Sequence, residues 1–344
     1  MDRLPPRVVR RLIVAPLVFV LCLALIAVSP VVLLLAAMAD LFLPGSWRTV
    51  RLVAFVIVYL VLEVIGLVVM LGLWVGTGFG LRTRSARARD MHYGFMQRWL
   101  RVMNGAVARL FRLRIRIEER PKPEPGPILV FSRHAGPGNS LMLIGTLMIA
   151  YHRRPRIVML AKLQWEPLFD IMGNRLPNGF IRHDPKATDR YVDAIGGLAR
   201  GLGERDAFVL FPEGRDFTRR LRLRAIAYLR KKGFHRHAEK AAGMHNVLPP
   251  RHRGPMAAIT GAPEADVVFV AHTVLEDVGS FGDLWRRIPL NEPIDSRYWR
   301  IPPSGVPHAE EELIDRLYGW WKRIDDWINE HVEPDSRAPA HKPA

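Results

Sequence analysis

A histidine in a turn between two apolar segments, His134, is the residue of this sequence best placed for chemistry. Residues 128–131 are typical of a short buried strand, and residues 141–150 are typical of an apolar helix. The connection contains two glycines and a proline, which permit a sharp turn and leave the imidazole unshielded. Such a histidine can act as a general base. It can equally satisfy a hydrogen bond of its own loop, and the stretch alone favours that second interpretation.

Other apolar runs also end in polar residues. Residues 156–161 are followed by Lys162, residues 180–181 by Arg182 and His183, and residues 207–211 by Pro212, Glu213, Gly214 and Arg215. Lys162 either directs a charge at a phosphate or is simply solvated, and a lone lysine is more often solvated. Arg182 can bind a phosphate through two parallel hydrogen bonds. Gly214 lets a ligand approach the backbone closely.

Strands alternate with helices along residues 85–331, which predicts an α/β domain with a mostly parallel sheet flanked by helices. Ligands of such sheets gather at the strand ends. Because His134, Arg182 and Glu213 each follow a predicted strand, we expect them to share one crevice. Residues 310–331 predict an amphipathic helix, and residues 332–344 predict a disordered tail.

The N-terminal part, residues 1–84, predicts a two-helix membrane hairpin ahead of that domain. Residues 12–39 carry no charge, and residues 52–81 carry only Glu63, so each run is long enough to span a bilayer. Glu63 is either protonated or faces a neighbouring helix or a substrate path. Arginines before the first run and after the second predict that both ends, and with them the catalytic domain, lie on the cytoplasmic side.

The composition adds a strong positive charge. The 344 residues carry a formal net charge of +17, and 49% of them are hydrophobic, so the charge does not come from a disordered chain. A basic chain suits nucleic acid or an anionic membrane. The basic helix predicted for residues 218–232 either attracts acidic headgroups or a phosphate-rich cosubstrate, or is a solubilising face, and its charge density favours the former. The single cysteine, Cys22, excludes an intrachain disulfide and a cysteine-based zinc cluster.

The order of these motifs resembles the glycerolipid acyltransferases of the lysophosphatidate (1-acylglycerol-3-phosphate) acyltransferase family. That family has a histidine followed five positions later by aspartate, then Phe-Ile with a basic residue, then Phe-Pro-Glu-Gly, then an apolar strand. The corresponding segments here are His134 to Asn139, Phe180-Ile181-Arg182-His183, Phe211 to Gly214, and Val267 to Ala271. The resemblance covers residues 99–274, and the order of the blocks is more specific than any block alone.

The resemblance implies a membrane enzyme of phospholipid biosynthesis that transfers a fatty acyl group from acyl-CoA or acyl carrier protein to a lysophospholipid hydroxyl. It implies that His134 removes the hydroxyl proton and that the residue at 139 orients the imidazole. The second block (Arg182, His183) and the third block (Glu213, Gly214, Arg215) would hold the acceptor's phosphate. No metal or bound cofactor is required, and the partners are the acceptor, the acyl donor and membrane lipids. Nucleic acid explains the charge but not the hairpin or the motifs.

Three positions depart from the family pattern. Asn139 replaces the aspartate; its carbonyl can still accept a hydrogen bond from the ring, but it brings no negative charge. Asn139 also fits the N-cap of a helix that starts near Ser140. The arginine expected after Phe-Ile-x falls on His183, and Arg215-Asp216 replaces a hydroxyl residue followed by arginine. The alternative function is therefore a catalytically weak relative that binds lysolipid or acyl-thioester as a non-enzymatic membrane protein.

Overall fold

The computed structural model describes residues 4–118, 124–134, 136–182, 188–273, 281–290, 292–307 and 309–331. The predicted tail and the predicted site residue His183 lie outside these ranges. The α-helices, in chain order, are α1 (Arg7–Val9), α2 (Ala15–Asp40), α3 (Arg48–Gly76), α4 (Ala86–Leu110), α5 (Pro137–Ile149), α6 (Pro167–Arg175), α7 (Thr188–Ala199), α8 (Arg219–Lys231), α9 (His235–Ala242), α10 (Arg253–Gly261), α11 (Phe281–Arg287) and α12 (Glu310–His331). The strands are β1 (Ile115–Glu118), β2 (Ile128–Ser132), β3 (Arg154–Leu160), β4 (Gly179–Ile181), β5 (Asp206–Leu210), β6 (Asp266–His272) and β7 (Ile294–Ile301).

These elements fall into two units. The first comprises Met1–Arg114, Leu141–Leu198 and Val278–Pro293, and the second comprises Ile115–Ser140, Ala199–Asp277 and Ile294–Ala344. The division of the chain predicted after residue 84 and the tail predicted from residue 332 remain predictions.

Five neighbouring strands form the centre of the second unit, in the order β1–β7–β6–β2–β5. β2 pairs in parallel with β5 and β6, β1 pairs in parallel with β7, and β6 pairs antiparallel with β7. Every residue of β2 is buried, as expected for a parallel strand covered on both faces. The prediction of an α/β fold with a mostly parallel sheet is confirmed.

Helix α12 covers part of this sheet with the apolar face that its sequence predicts. Trp321, Ile324 and Ile328 are completely buried, and Trp321 contacts the ring of Phe269 on β6 edge-on, with centroids 6.2 Å apart. The buried carboxylate of Asp325 accepts hydrogen bonds from the backbone N–H groups of His245 and Asn246, at 2.7 and 2.6 Å. These bonds tie the segment that follows α9 to α12.

The first unit contains the two long apolar helical segments. Arg7–Asp40, which includes a π-helical turn at Arg10–Val14, and α3 are each long and apolar enough to cross a membrane. In their most apolar windows, 6% and 22% of the residues are buried, so the first segment is not an apolar core helix. The segments pack together, and Asp40 closes the connection by accepting hydrogen bonds from the N–H groups of Thr49 and Val50.

One face of α3 is covered by other helices of the same unit. A Cβ at Gly66 would lie 2.5 Å from the side chain of Leu168, so glycine allows α6 to approach closely. Glu63 is buried, and its Oε1 accepts a hydrogen bond from the N–H of Leu168 at 3.3 Å. Of the alternatives for Glu63, the position facing a neighbouring helix is therefore the one observed. In the same unit, β3 and β4 pair in parallel.

Candidate functional site

The two motif segments that contain His134 and Glu213 follow neighbouring strands. β2 and β5 pair in parallel with Phe131 opposite Leu210, so both strands end at the same edge of the sheet. The connections after them carry His134 and residues 211–217. This is the physical reason why residues almost eighty positions apart in the sequence meet here.

Three contacts from the connection after β5 hold His134. The ring of Phe211 stacks on the imidazole, with centroids 4.5 Å apart and planes 28° apart. The backbone N–H of His134 points to Glu213 Oε1 at 3.4 Å, and its carbonyl accepts a hydrogen bond from the N–H of Phe217 at 2.9 Å. The His134 side chain is 19% exposed, so the ring is held in place and still reached by solvent.

A carboxylate without a predicted role lies beside the imidazole. Asp216 Oδ1 is 3.4 Å from His134 Nδ1, and the Asp216 side chain is 53% exposed. In the sequence, Asp216 stands out just by its place in Arg215-Asp216, which departs from the family pattern. Its proximity to the ring follows from the Phe217 to His134 hydrogen bond, which brings the backbone of this connection against the histidine.

Glu213 is buried beneath the same connection. Its two carboxylate oxygens receive the N–H groups of His134, at 3.4 Å, and of Leu248, at 3.2 Å. Burial raises the pKa of Glu213 to about 8, although the nearby Arg133 charge and these backbone hydrogen bonds act in the opposite direction. This position suits a residue that joins two loops; a direct contact between Glu213 and an acceptor remains a prediction.

A buried arginine and histidine pair lies behind the site. Arg133 is fully buried, its guanidinium donates to the carbonyl of His272 at 3.2 Å, and it lies over the ring of Phe217 at 5.4 Å. His272 Nε2 lies 3.2 Å from the Arg133 carbonyl, an acceptor, so this nitrogen carries the proton. Burial, and then the Arg133 charge, lower the pKa of His272 to about 3. An arginine at a strand end is usually solvated, so no pattern in the sequence marks this one.

Asn139 lies in the first turn of α5. This helix begins at Pro137 rather than near Ser140, so the prediction of Asn139 as an N-cap is wrong. Proline is well suited to the first helical position because its missing N–H has no partner there in any case. Asn139 is half-buried, and its catalytic role remains a prediction.

Two arginines flank Gly214. The backbone of Gly214 has a φ of +69°, and a Cβ there would lie 3.4 Å from the guanidinium of Arg251. Arg215 is exposed, and partial burial together with the Arg215 charge lowers the pKa of Arg251. Two like charges held near an open backbone turn form a place where an anion would be stabilised. Arg251 was missed because no apolar strand precedes it.

The remaining predicted residues belong to the first unit. Lys162 is exposed in the 3-10 segment Ala161–Trp165, and Arg182 is exposed directly after β4. His183 lies outside the described residues. A shared site for these residues and His134 remains a prediction. Within the described ranges, no group of three or more His, Cys, Asp or Glu side chains could hold a metal ion.

Comparison with known proteins gives a likeness in structure. No family model and no curated protein matches this sequence. A solved structure that is similar is the crystal structure of the 1-acyl-sn-glycerophosphate (LPA) acyltransferase PlsC from Thermotoga maritima. The two chains are 15% identical, with a TM-score of 0.48, over 80% of this chain and 97% of that chain. Because the identity and the score are this low, the function of this chain has to follow from its own residues.

Proposed function

We propose that this chain is a membrane-associated glycerolipid acyltransferase. It moves a fatty acyl group from acyl-CoA or acyl carrier protein to the hydroxyl of a lysophospholipid. One observation carries the proposal: Phe211 and Glu213, from one block of the resemblance, contact His134 from another. Two motifs far apart in the sequence therefore form one local arrangement around an imidazole.

The chemistry needs one proton shuttle. The imidazole of His134 takes the proton from the acceptor hydroxyl as its oxygen bonds to the thioester carbonyl carbon. The tetrahedral intermediate then collapses, the carbon–sulfur bond breaks, and the thiolate leaves with the proton that the imidazolium returns. The ester and the free thiol account for every atom, and no acyl-enzyme forms.

The acceptor's phosphate finds its partners at the same edge. Arg215 and Arg251 on either side of Gly214 offer guanidinium groups, which bind phosphate through paired hydrogen bonds. The resemblance assigns phosphate binding to Arg182 and His183 as well, and Lys162 keeps its predicted role of directing a charge at a phosphate.

Membrane association keeps such an enzyme at the surface where its acceptor resides. The exposed apolar segment Arg7–Asp40 and helix α3 suit insertion into lipid, with the catalytic part on the cytoplasmic side as the arginine distribution predicts. Helix α8 adds exposed arginines for anionic headgroups. Arg222 is the exception, because its guanidinium donates to the carbonyls of Met244 and Ala242.

The test is an acceptor panel. Purified full-length chain is mixed with acyl-CoA or acyl carrier protein donors and a series of lysophospholipids that differ in headgroup, and the released thiol and the diacyl product are measured. We expect turnover with at least one pair and none for His134→Ala. The matched control is His235→Ala, an exposed histidine on α9, which should leave the rate unchanged.

A second candidate function is favoured by Asn139. A chain without the family's aspartate could bind lysolipid or acyl-thioester without turning it over. Binding of a radiolabelled lysolipid with no thiol release for any donor and acceptor pair would support this candidate and reject the enzyme.

A further inference from the structure

We propose that Asp216 is the positioning residue for the His134 imidazole, in place of the amide at position 139. This inference rests on the proposed function, because it assigns a role within the same reaction. The observation is the 3.4 Å separation between Asp216 Oδ1 and His134 Nδ1. The two atoms lie within ion-pair distance and are not hydrogen-bonded to each other, so Asp216 acts on the ring through its charge. A carboxylate beside Nδ1 favours the tautomer with its proton on that nitrogen, which leaves Nε2 to accept the proton of the hydroxyl.

The position of Asp216 is determined by the backbone and not by a flexible side chain alone. Its neighbour Phe217 donates a backbone hydrogen bond to the His134 carbonyl at 2.9 Å. At the start of the same connection, Phe211 stacks on the ring and Glu213 faces the His134 N–H. The connection after β5 therefore contacts the N–H, the carbonyl and the ring of His134. These contacts position Asp216 next to Nδ1.

The charge of Asp216 is what an amide cannot provide. As His134 takes the proton it becomes an imidazolium, and an adjacent carboxylate stabilises that charge. Asn139 is neutral in every protonation state, and it lies in the first turn of α5. Since the Asp216 side chain is 53% exposed, water screens the interaction, so its effect should be smaller than that of a buried triad aspartate.

Other titratable or charged groups also lie near the imidazole and bear on any pH profile. Arg133 precedes it in the chain, Glu213 lies beneath the connection after β5, and His272 ends β6. The Arg133 charge disfavours the imidazolium, and a neutral His272 leaves it unchanged. Among the residues that the structure describes, Asp216 is therefore the exposed carboxylate beside the ring that stabilises the imidazolium of His134.

The test compares Asp216→Asn, Asp216→Glu and a matched control in the full-length protein. The control is Asp326→Asn on α12, where the side chain is 50% exposed and paired with Lys322. We expect Asp216→Asn to lower kcat by about 10- to 100-fold, less than the roughly 10⁴-fold loss when a buried triad aspartate becomes asparagine, with little change in KM for the acceptor. The acidic limb of the kcat/KM profile should move to lower pH, Asp216→Glu should restore most of the rate, and Asp326→Asn should change neither.

A second measurement separates this proposal from the proposed function. The His134 imidazole is titrated by NMR in histidine-labelled protein, with Asp216→Asn compared with the unchanged chain. A lower His134 pKa in Asp216→Asn supports the pairing even if no acceptor is ever turned over, in which case only the proposed function fails. An unchanged His134 pKa in Asp216→Asn overturns the pairing, whether or not turnover is found. The pairing is also overturned if the acidic limb of the kcat/KM profile shifts in Asn139→Ala and stays in place in Asp216→Asn.

Discussion

The ring of Phe211 lies against the imidazole of His134, with centroids 4.5 Å apart and an angle of 28° between the planes. The two residues follow the adjacent parallel strands β5 and β2, so the stacking is a direct consequence of that strand pairing. An aromatic face on one side of the ring limits its rotation without using either ring nitrogen.

This stacking predicts the effect of Phe211→Leu. The substitution keeps an apolar side chain of similar bulk but loses a contact worth about 0.5–1.5 kcal/mol. We expect kcat for acyl transfer to fall by up to about tenfold while KM is little changed, because the misplacement concerns the reacting ring. Phe211→Tyr keeps the stacking and serves as the control. Equal kcat values for Phe211→Leu and the unchanged chain would contradict a positioning role.

Glu213 predicts a dependence of stability on pH. Its pKa is raised to about 8 in the folded chain, against a value near 4.5 when unfolded, because the side chain is buried. The unfolded chain therefore loses this proton first, and stability decreases as pH rises from about 4.5 to about 8. In Glu213→Gln this contribution disappears, so the decrease in the free energy of unfolding over that range should be smaller by a few kcal/mol.

The measurement is chemical denaturation in detergent between pH 5 and pH 9. Glu239→Gln, an exposed residue of α9, is the control and should follow the unchanged chain. If Glu213→Gln showed the same pH slope as that control, the buried carboxyl could not be the group that is titrating.

Arg215 predicts an effect on acceptor binding. Removing its guanidinium in Arg215→Ala takes away charge-assisted hydrogen bonds to phosphate worth about 1.5–3 kcal/mol, so KM for the acceptor should rise by about 10- to 100-fold. The measurement is steady-state kinetics with varied lysophospholipid. Arg205→Ala is the matched control, because Arg205 is also exposed but precedes β5 instead of following it. A rise in KM of equal size in both variants would argue against a phosphate site at Gly214.

The exposed apolar face of α2 predicts insertion into a bilayer. Leu25 and Val28 lie near its middle and are 46% and 53% exposed, so arginine at both positions leaves the packing intact. Each charge placed in the bilayer centre costs about 2.5–3.5 kcal/mol. We expect the unchanged chain to stay in the membrane pellet after alkaline extraction and Leu25→Arg/Val28→Arg to be released more readily.

The control for that experiment is Leu223→Arg, at an exposed position of α8. It should fractionate with the unchanged chain. Release of all three proteins to the same extent would mean that α2 does not insert.

Much of the fold follows from local patterns in the sequence. Some features are visible within a short stretch of sequence, because burial repeats with the period of the helix or strand. They are the buried run of β2, the amphipathic face of α12 and the two apolar helices. β7 was not predicted, since charged residues interrupt its apolar positions. The structure pairs its Arg300 with Asp266 of β6, a contact that no local pattern reveals.

The sequence by itself determined the α/β class, the apolar N-terminal helices and the choice of His134 and the Phe211 to Gly214 segment as candidate chemistry. These features depend on residue type and spacing along the chain. Only the tertiary structure decided that Phe211 and Glu213 contact His134, that α5 begins at Pro137, and that the Asp216 carboxylate lies 3.4 Å from the imidazole Nδ1. The physical reason is that a distance of 3.4 Å between side chains on separate connections is set by the pairing of β2 with β5, which acts across a long stretch of sequence.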